Sequence, residues 1–377
     1  MKCSGIDVAT GQPIEVEFEK TITSVRVLEE AADDAPWLAP GFVDLQVNGF
    51  AGIDFNNPNA SLADLSRAVD TILRTGVTRL LPTVITGSPD DMRACLRRLR
   101  QAQSELPRGA AIVGFHVEGP AIGPDDGPRG AHPARWVRPP SLEEFRRWQE
   151  ATDGNIRLIT LSPHWPEAPA FIAAVTKEGV TASIGHTGAS AEAVEAAVDA
   201  GATLSTHLGN GAHAVLRRHP NYLWDQLAED RLSASFIVDG IHVGQAFLRT
   251  ALRAKTVPRT VLVTDASAPA GAAPGRYRLG EQEADLTADG RVVLAGTDKL
   301  AGSALHMNDA IMNVVRLGGL SLRDAVQTAT LNPARILGLE GRQEGLVPGQ
   351  IADIVAFRAD QQMRIVSVYL DGTRVDE

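Results

Sequence analysis

Cysteine is nearly absent from this chain of 377 residues: there are two, Cys3 and Cys95, far apart and in no ligand spacing. A disulfide framework is thereby excluded, and both read as inert thiols. Aromatic residues are scarce at 5%, while glycine and alanine are plentiful, which suits tightly packed strands and helices. No run of about 18 apolar residues occurs, so no transmembrane helix and no membrane partner are expected. The opening stretch MKCSGIDVATGQPIEVEFEK lacks the apolar core of a secretory signal, so a cytoplasmic location is expected. Basic blocks are missing too. The net charge of −10 is spread along the chain, and nucleic acid is not an expected partner. A phosphorylated small molecule stays compatible, because a few local cations suffice for one phosphate.

What is present has the composition of a globular protein, with 44% hydrophobic and 22% charged residues. The length suits one barrel of about 250–300 residues plus a small accessory domain. Eight apolar, strand-like runs stand out: PGFVDLQV (40–47), VTRLLPT (77–83), AIVGFHV (111–117), IRLITLS (156–162), VTASIG (180–185), ATLSTH (202–207), LSASFIV (232–238) and TVLVTD (260–265). Between most of them lie amphipathic runs such as SLADLSRAVDTILRTG and SAEAVEAAVDAG, with Ser near the start and Gly at the end. Strands apolar on both faces and separated by helices imply a parallel sheet, and eight such units close into a (β/α)8 TIM-type barrel. An open doubly wound sheet is the competitor, but no GxGxxG turn comes after an early strand.

The two ends alternate differently, as IEVEFE and TSVRVL near the start and RIVSVYLDGTRV near the end. Residues 1–38 and 345–377 are therefore expected to form one small β-sandwich domain beside a barrel of residues 39–344. Residues 276–298 read as a β-hairpin inserted after the eighth strand.

In such a barrel the active site lies at the C-terminal strand ends. Strand three ends in FHVEGP (His116, Glu118), strand five in SIGHTG (His186), strand six in STHLGNGAH (His207, Asn210, His213) and strand eight in VTDASAPAG (Asp265). One carboxylate and two imidazoles at three strand ends match a catalytic His2Glu metal site, for which Glu118, His186 and His207 are the candidate ligands. Zinc is the expected ion, with iron, manganese or cobalt as alternatives. Asp265 is the candidate general base and acid.

These residues also carry a resemblance. PGFVDLQVNG, GFHVEGP, RGAHP, GHTGAS, THLGN, DGIHV, LVTDASAPAG, LAGSAL and ATLNPARILGL span nearly the whole chain in order. Together they resemble the amidohydrolase superfamily and, within it, the N-acetylglucosamine-6-phosphate deacetylase family. The resemblance implies Glu118, His186 and His207 as ligands of one divalent metal and Asp265 as base and acid. It further implies His132 at the acyl carbonyl or oxyanion, and Asn210, Gly211, Arg218 and His242 as contacts to the sugar phosphate. LAGSAL, opening at Leu300, resembles the segment that shapes the acyl pocket. A homodimer is implied as well, with the phosphate-binding arginine reaching across the interface.

Two departures from the family pattern stand out. Where most amidohydrolases carry His-x-His after strand one, this chain has Gln46 and Asn48, so one metal is expected rather than two, and both residues join the substrate-binding set. The loop GNGAHAVLRRHPN (209–221) keeps Asn210 and Arg218 in register but lacks the glycines that flank the family arginine. The implied reaction is hydrolysis of the acetamide of an N-acetyl amino sugar 6-phosphate. Other readings are an amidohydrolase acting on an unphosphorylated N-acyl amino sugar, an N-acyl amino acid or a cyclic amide, and a non-catalytic barrel scaffold.

Overall fold

The computed structural model describes residues 1–375. Residues 376 and 377, the last two of the expected terminal segment, lie outside the described residues. All eight expected barrel strands form: Phe42–Val47, Val77–Ile85, Phe115–Glu118, Ile156–Leu161, Thr181–Ile184, Leu204–Ser205, Ser233–Phe236 and Thr260–Leu262. They are parallel and lie side by side in chain order. The ring closes between the first and last, where Val47 bridges Ala266 and Asp265 N donates to Gln46 O at 3.0 Å.

The helices start and stop where the sequence chemistry dictates. In Leu62–Leu73, Ser61 caps the first turn by accepting from Asp64 N, and the chain turns out at Gly76, whose φ is +92°. Ala191–Asp199 repeats the pattern with Ser190 and Gly201. Each helix lays its apolar stripe on the outside of the barrel, as Leu65, Ala68, Val69 and Ile72 do.

Both ends of the chain contribute to one seven-stranded sheet in which Ile354–Ala359 and Lys2–Asp7 flank Trp37–Pro40. Its own apolar cluster includes Val16, Phe18, Ile22, Leu38 and Ile354. A buried clasp joins it to the barrel. Arg79 of strand two bonds Asp353 at 2.6 Å and Asp371 at 2.6 Å. Arg342 adds bonds to the Asp353 and Gly41 carbonyls.

The insertion after strand eight, expected as a hairpin over residues 276–298, carries three strands. Gly275–Leu279 and Gln282–Leu286 pair antiparallel, and Val292–Leu294 adds a third strand. Val292 shares a buried apolar cluster with Leu279 and Ala284 of the insertion and with Ile85 of strand two, far away in the chain.

Candidate active site

Glu118 is the last residue of strand three, and His186 and His207 come just after strands five and six. Nε2 of His207 stands 2.8 Å from Glu118 Oε1, and Nε2 of His186 stands 3.4 Å from the same oxygen. The ligand-type atoms of the three residues lie within 4.8 Å of one another, and all three side chains are buried. His186 Nδ1 donates to the Pro128 carbonyl at 2.7 Å, which leaves Nε2 with its lone pair facing the cluster. His207 Nδ1 is buried without a partner among the described residues. Burial pushes the Glu118 carboxyl up, but hydrogen bonds and charge from His186 and His207 prevail and hold it well below the usual carboxylate range. Burial likewise opposes a charged His207, yet its bond to Glu118 raises it. A buried anionic carboxylate beside two convergent imidazoles, one with an orphaned nitrogen, fits a divalent cation in a three-ligand site.

Asp265 faces this cluster from the end of strand eight. Asn48 Nδ2 donates to its Oδ1 at 2.6 Å, and Gln46 Nε2 donates to the same oxygen at 3.0 Å and to Glu118 Oε1 at 2.9 Å. Both amides therefore act as donors to Asp265, and Gln46 also ties it to Glu118. Burial, then the negative charge of Glu118, pushes Asp265 up to about 6.

His132 comes in on the long loop after strand three. Its Nε2 lies 3.7 Å from Glu118 Oε2, and its Nδ1 pairs with Thr86 Oγ1 at 2.8 Å. Burial first, then the charge of His186, pushes it down to about 3, so the ring is neutral. A Thr86 hydroxyl that donates to Nδ1 would place the ring proton on Nε2, toward the cluster.

A cavity of about 100 Å³ opens over these groups, and Asn48, Asn210, Gly211, His242 and Leu300 line it along with the ligands, His132 and Asp265. Two expected site residues are not on its wall. Gln46 lies beneath, bonded to Glu118 and Asp265. Arg218 is exposed with Arg217 and His219 on the loop after His213. His164 and His213 stay out as well: His164 bonds Ser162 and stacks on Trp165, and His213 pairs with Tyr222. His116 is a core histidine under Glu118, bonded to Thr160 Oγ1 at 2.8 Å and pushed down to about 4 by burial.

Three supporting residues escaped the sequence reading. They are Thr86 behind His132, Pro128 behind His186, and Asp239, whose Oδ2 lies 2.6 Å from His242 Nδ1. Only the spacing of Asp239, three residues before His242, carried a usable signal.

The fold and the site define a hydrolase barrel of the metal-dependent amidohydrolase class, and residues 37–375 match the model of the Amidohydrolase family. The N-acetylglucosamine-6-phosphate deacetylase of Bos taurus is 36% identical over 349 residues, covering 90% of this chain and 83% of the relative. The N-acetylgalactosamine-6-phosphate deacetylase of Escherichia coli is 31% identical, over 90% of this chain and 88% of its own length. Among solved structures, a mutant N-acetyl-D-glucosamine-6-phosphate deacetylase from Mycobacterium smegmatis, in complex with N-acetyl-D-glucosamine-6-phosphate, superposes with a TM-score of 0.90 at 32% identity. The match covers 100% of this chain and 99% of that one. The chain belongs to the amidohydrolase family, in its N-acetylglucosamine-6-phosphate deacetylase branch.

Proposed function

We propose that this enzyme hydrolyses the acetamide of an N-acetyl amino sugar 6-phosphate, N-acetylglucosamine 6-phosphate foremost, to the amino sugar 6-phosphate and acetate. The observation that carries the reading is a single carboxylate, Asp265, held by two amide donors beside a buried Glu-His-His cluster. Glu118, His186 and His207 would hold one divalent cation, zinc before iron, manganese or cobalt. When bound, that cation supplies Lewis acidity, which polarises the amide carbonyl and acidifies a water.

The chain's own residues do the rest. Asn48 and Gln46 fix the Asp265 carboxylate so that it takes a proton from the attacking water and delivers it to the departing nitrogen. Neutral His132 offers Nε2–H to the oxyanion that develops on the carbonyl, and Thr86 fixes that tautomer. Asp239 orients His242 toward the sugar side, where Asn210 and the Gly211 backbone also lie. The exposed position of Arg218 supports a homodimer in which this loop serves the neighbouring copy's phosphate site.

Amine release from N-acetylglucosamine 6-phosphate, N-acetylgalactosamine 6-phosphate and their unphosphorylated forms, assayed side by side, tests this. Preference for the gluco phosphate is expected, and turnover of none of the four would overturn the reading. The Escherichia coli relative makes the galacto phosphate the second candidate.

A further inference from the structure

A second cavity, of about 210 Å³, lies against the strand-two side of the site and is walled by the apolar Val84, Met92 and Cys95 together with the charged Asp91, Arg278 and Glu281. Among the described residues Ile85 alone lines both this cavity and the one over the metal ligands. Ile85 is the register partner of Glu118 in the parallel pair of strands two and three, so the two side chains leave the sheet on the same face. Leu279 and Ala301, buried residues brought in by the inserted sheet and the segment after it, share its apolar cluster and line the cavity over the Glu-His-His cluster beside it.

The substrate's orientation is set by where the polar groups sit. The scissile carbonyl must lie over Glu118, His186 and His207, within reach of His132. Asn210 and His242, which suit a sugar, come after strands six and seven. Strands two and six face each other across an eight-stranded ring in chain order. The acyl group, on the other side of the carbonyl, is thereby directed at the apolar wall of Ile85, Leu279 and Leu300.

We propose that Ile85, flanked by Leu279 on the same wall, is the partition that fixes acyl length, and that the cavity behind it would accept the tail of a longer acyl chain once the partition is cut back. The inference rests on the proposed deacylation for its substrate and on the cavity geometry for its residue. A volume of about 210 Å³ is many times the roughly 10–15 Å³ needed to admit one water, enough for a short alkyl chain. A methylene in a hydrophobic pocket changes discrimination by roughly 10–200-fold.

The test is the ratio of kcat/KM for N-butyryl over N-acetyl glucosamine 6-phosphate in metal-loaded wild type, Ile85→Val, Ile85→Ala and Leu279→Ala. A ratio is insensitive to partial loss of folded enzyme, and metal content is measured on each variant. The expected result is a rise of at least about tenfold in Ile85→Ala and a smaller one in Ile85→Val. An unchanged ratio in any folded, metal-loaded Ile85→Ala or Leu279→Ala preparation overturns the proposal. Calorimetric titration with acetate, butyrate and hexanoate reads the same selectivity without turnover. If no hexosamine substrate is turned over but Ile85→Ala gains affinity for butyrate over acetate, the partition stands and the substrate reading falls. If the variant turns over the acetyl substrate with no gain for either longer ligand, the partition falls alone.

Discussion

His186, His207 and Asp265 all occupy backbone conformations that L-residues rarely adopt, with φ of +49°, +28° and +49°. Each is the residue at which a barrel strand gives way to its loop, and the left-handed turn swings the side chain over the mouth instead of along the wall. Such strain persists only where surrounding structure over-determines it, and here it coincides with the chemistry. Asp265→Asn should keep its bound metal and lose about 10²–10⁴-fold in kcat, because an amide takes no proton from water; metal analysis beside steady-state rates checks both halves. The same carboxylate sets a pH dependence. Its buried value is raised to about 6, and the base must be ionised to work, so kcat/KM should fall as pH drops through about 6 and stay level above it. A bound cation moves that limb lower, by favouring the charged form. A rate that climbed on acidification would exclude Asp265 as the base. For Thr86, replacement by isosteric valine should lower kcat with metal content unchanged, and serine should restore it. The ¹⁵N shifts of His132 would report the tautomer change directly.

At the scale of elements, two loops crowd one candidate ligand, His186. A Cβ on Gly211 would lie 2.6 Å from His186 Nδ1, and one on Gly130 would lie 3.1 Å from its Cε1. Gly211 also has φ of +55°, so both space and backbone conformation require glycine there. Gly211→Ala should push the imidazole off its bond to Pro128 and weaken metal retention by about 10–100-fold, the usual cost of disturbing a ligand's support. Gly154→Ala is the control, since it shares a positive φ of +77° but has nothing within 4 Å. Competition with a chelator dye separates the two. Equal metal affinity in both variants would mean that the loop yields without moving the ring.

On the whole-molecule scale, the clasp of Arg79, Arg342, Asp353 and Asp371 ties strand two to the terminal sheet. Arg79 and Asp353 are nearly fully buried, so cutting Arg79 back leaves a carboxylate without its main partner. Arg79→Met should destabilise the protein by about 3–5 kcal/mol. Because the pair is screened from solvent, added salt should leave the difference in denaturant midpoint nearly unchanged. A loss that salt abolishes would mean the clasp is open to water.

Eight strands, their helices and the chemical groups at their ends were legible in the sequence, because each depends on local period and on the residue types just past the last apolar position. Glu118, His186, His207 and Asp265 could be picked out for that reason. The insertion was only partly legible: local turns join its three strands, while the apolar cluster that brings Val292 together with Ile85 and Ala301 unites segments far apart in the chain. Tertiary structure alone decided how the site is supported and bounded. The Thr86–His132 and Pro128–His186 bonds join residues 46 and 58 positions apart, and no periodicity marks either partner. Gln46 and Asn48 show the same division. Sequence established that they are not imidazoles, which fits one metal. Closure of strand eight onto strand one turned them into donors that hold the Asp265 carboxylate in place.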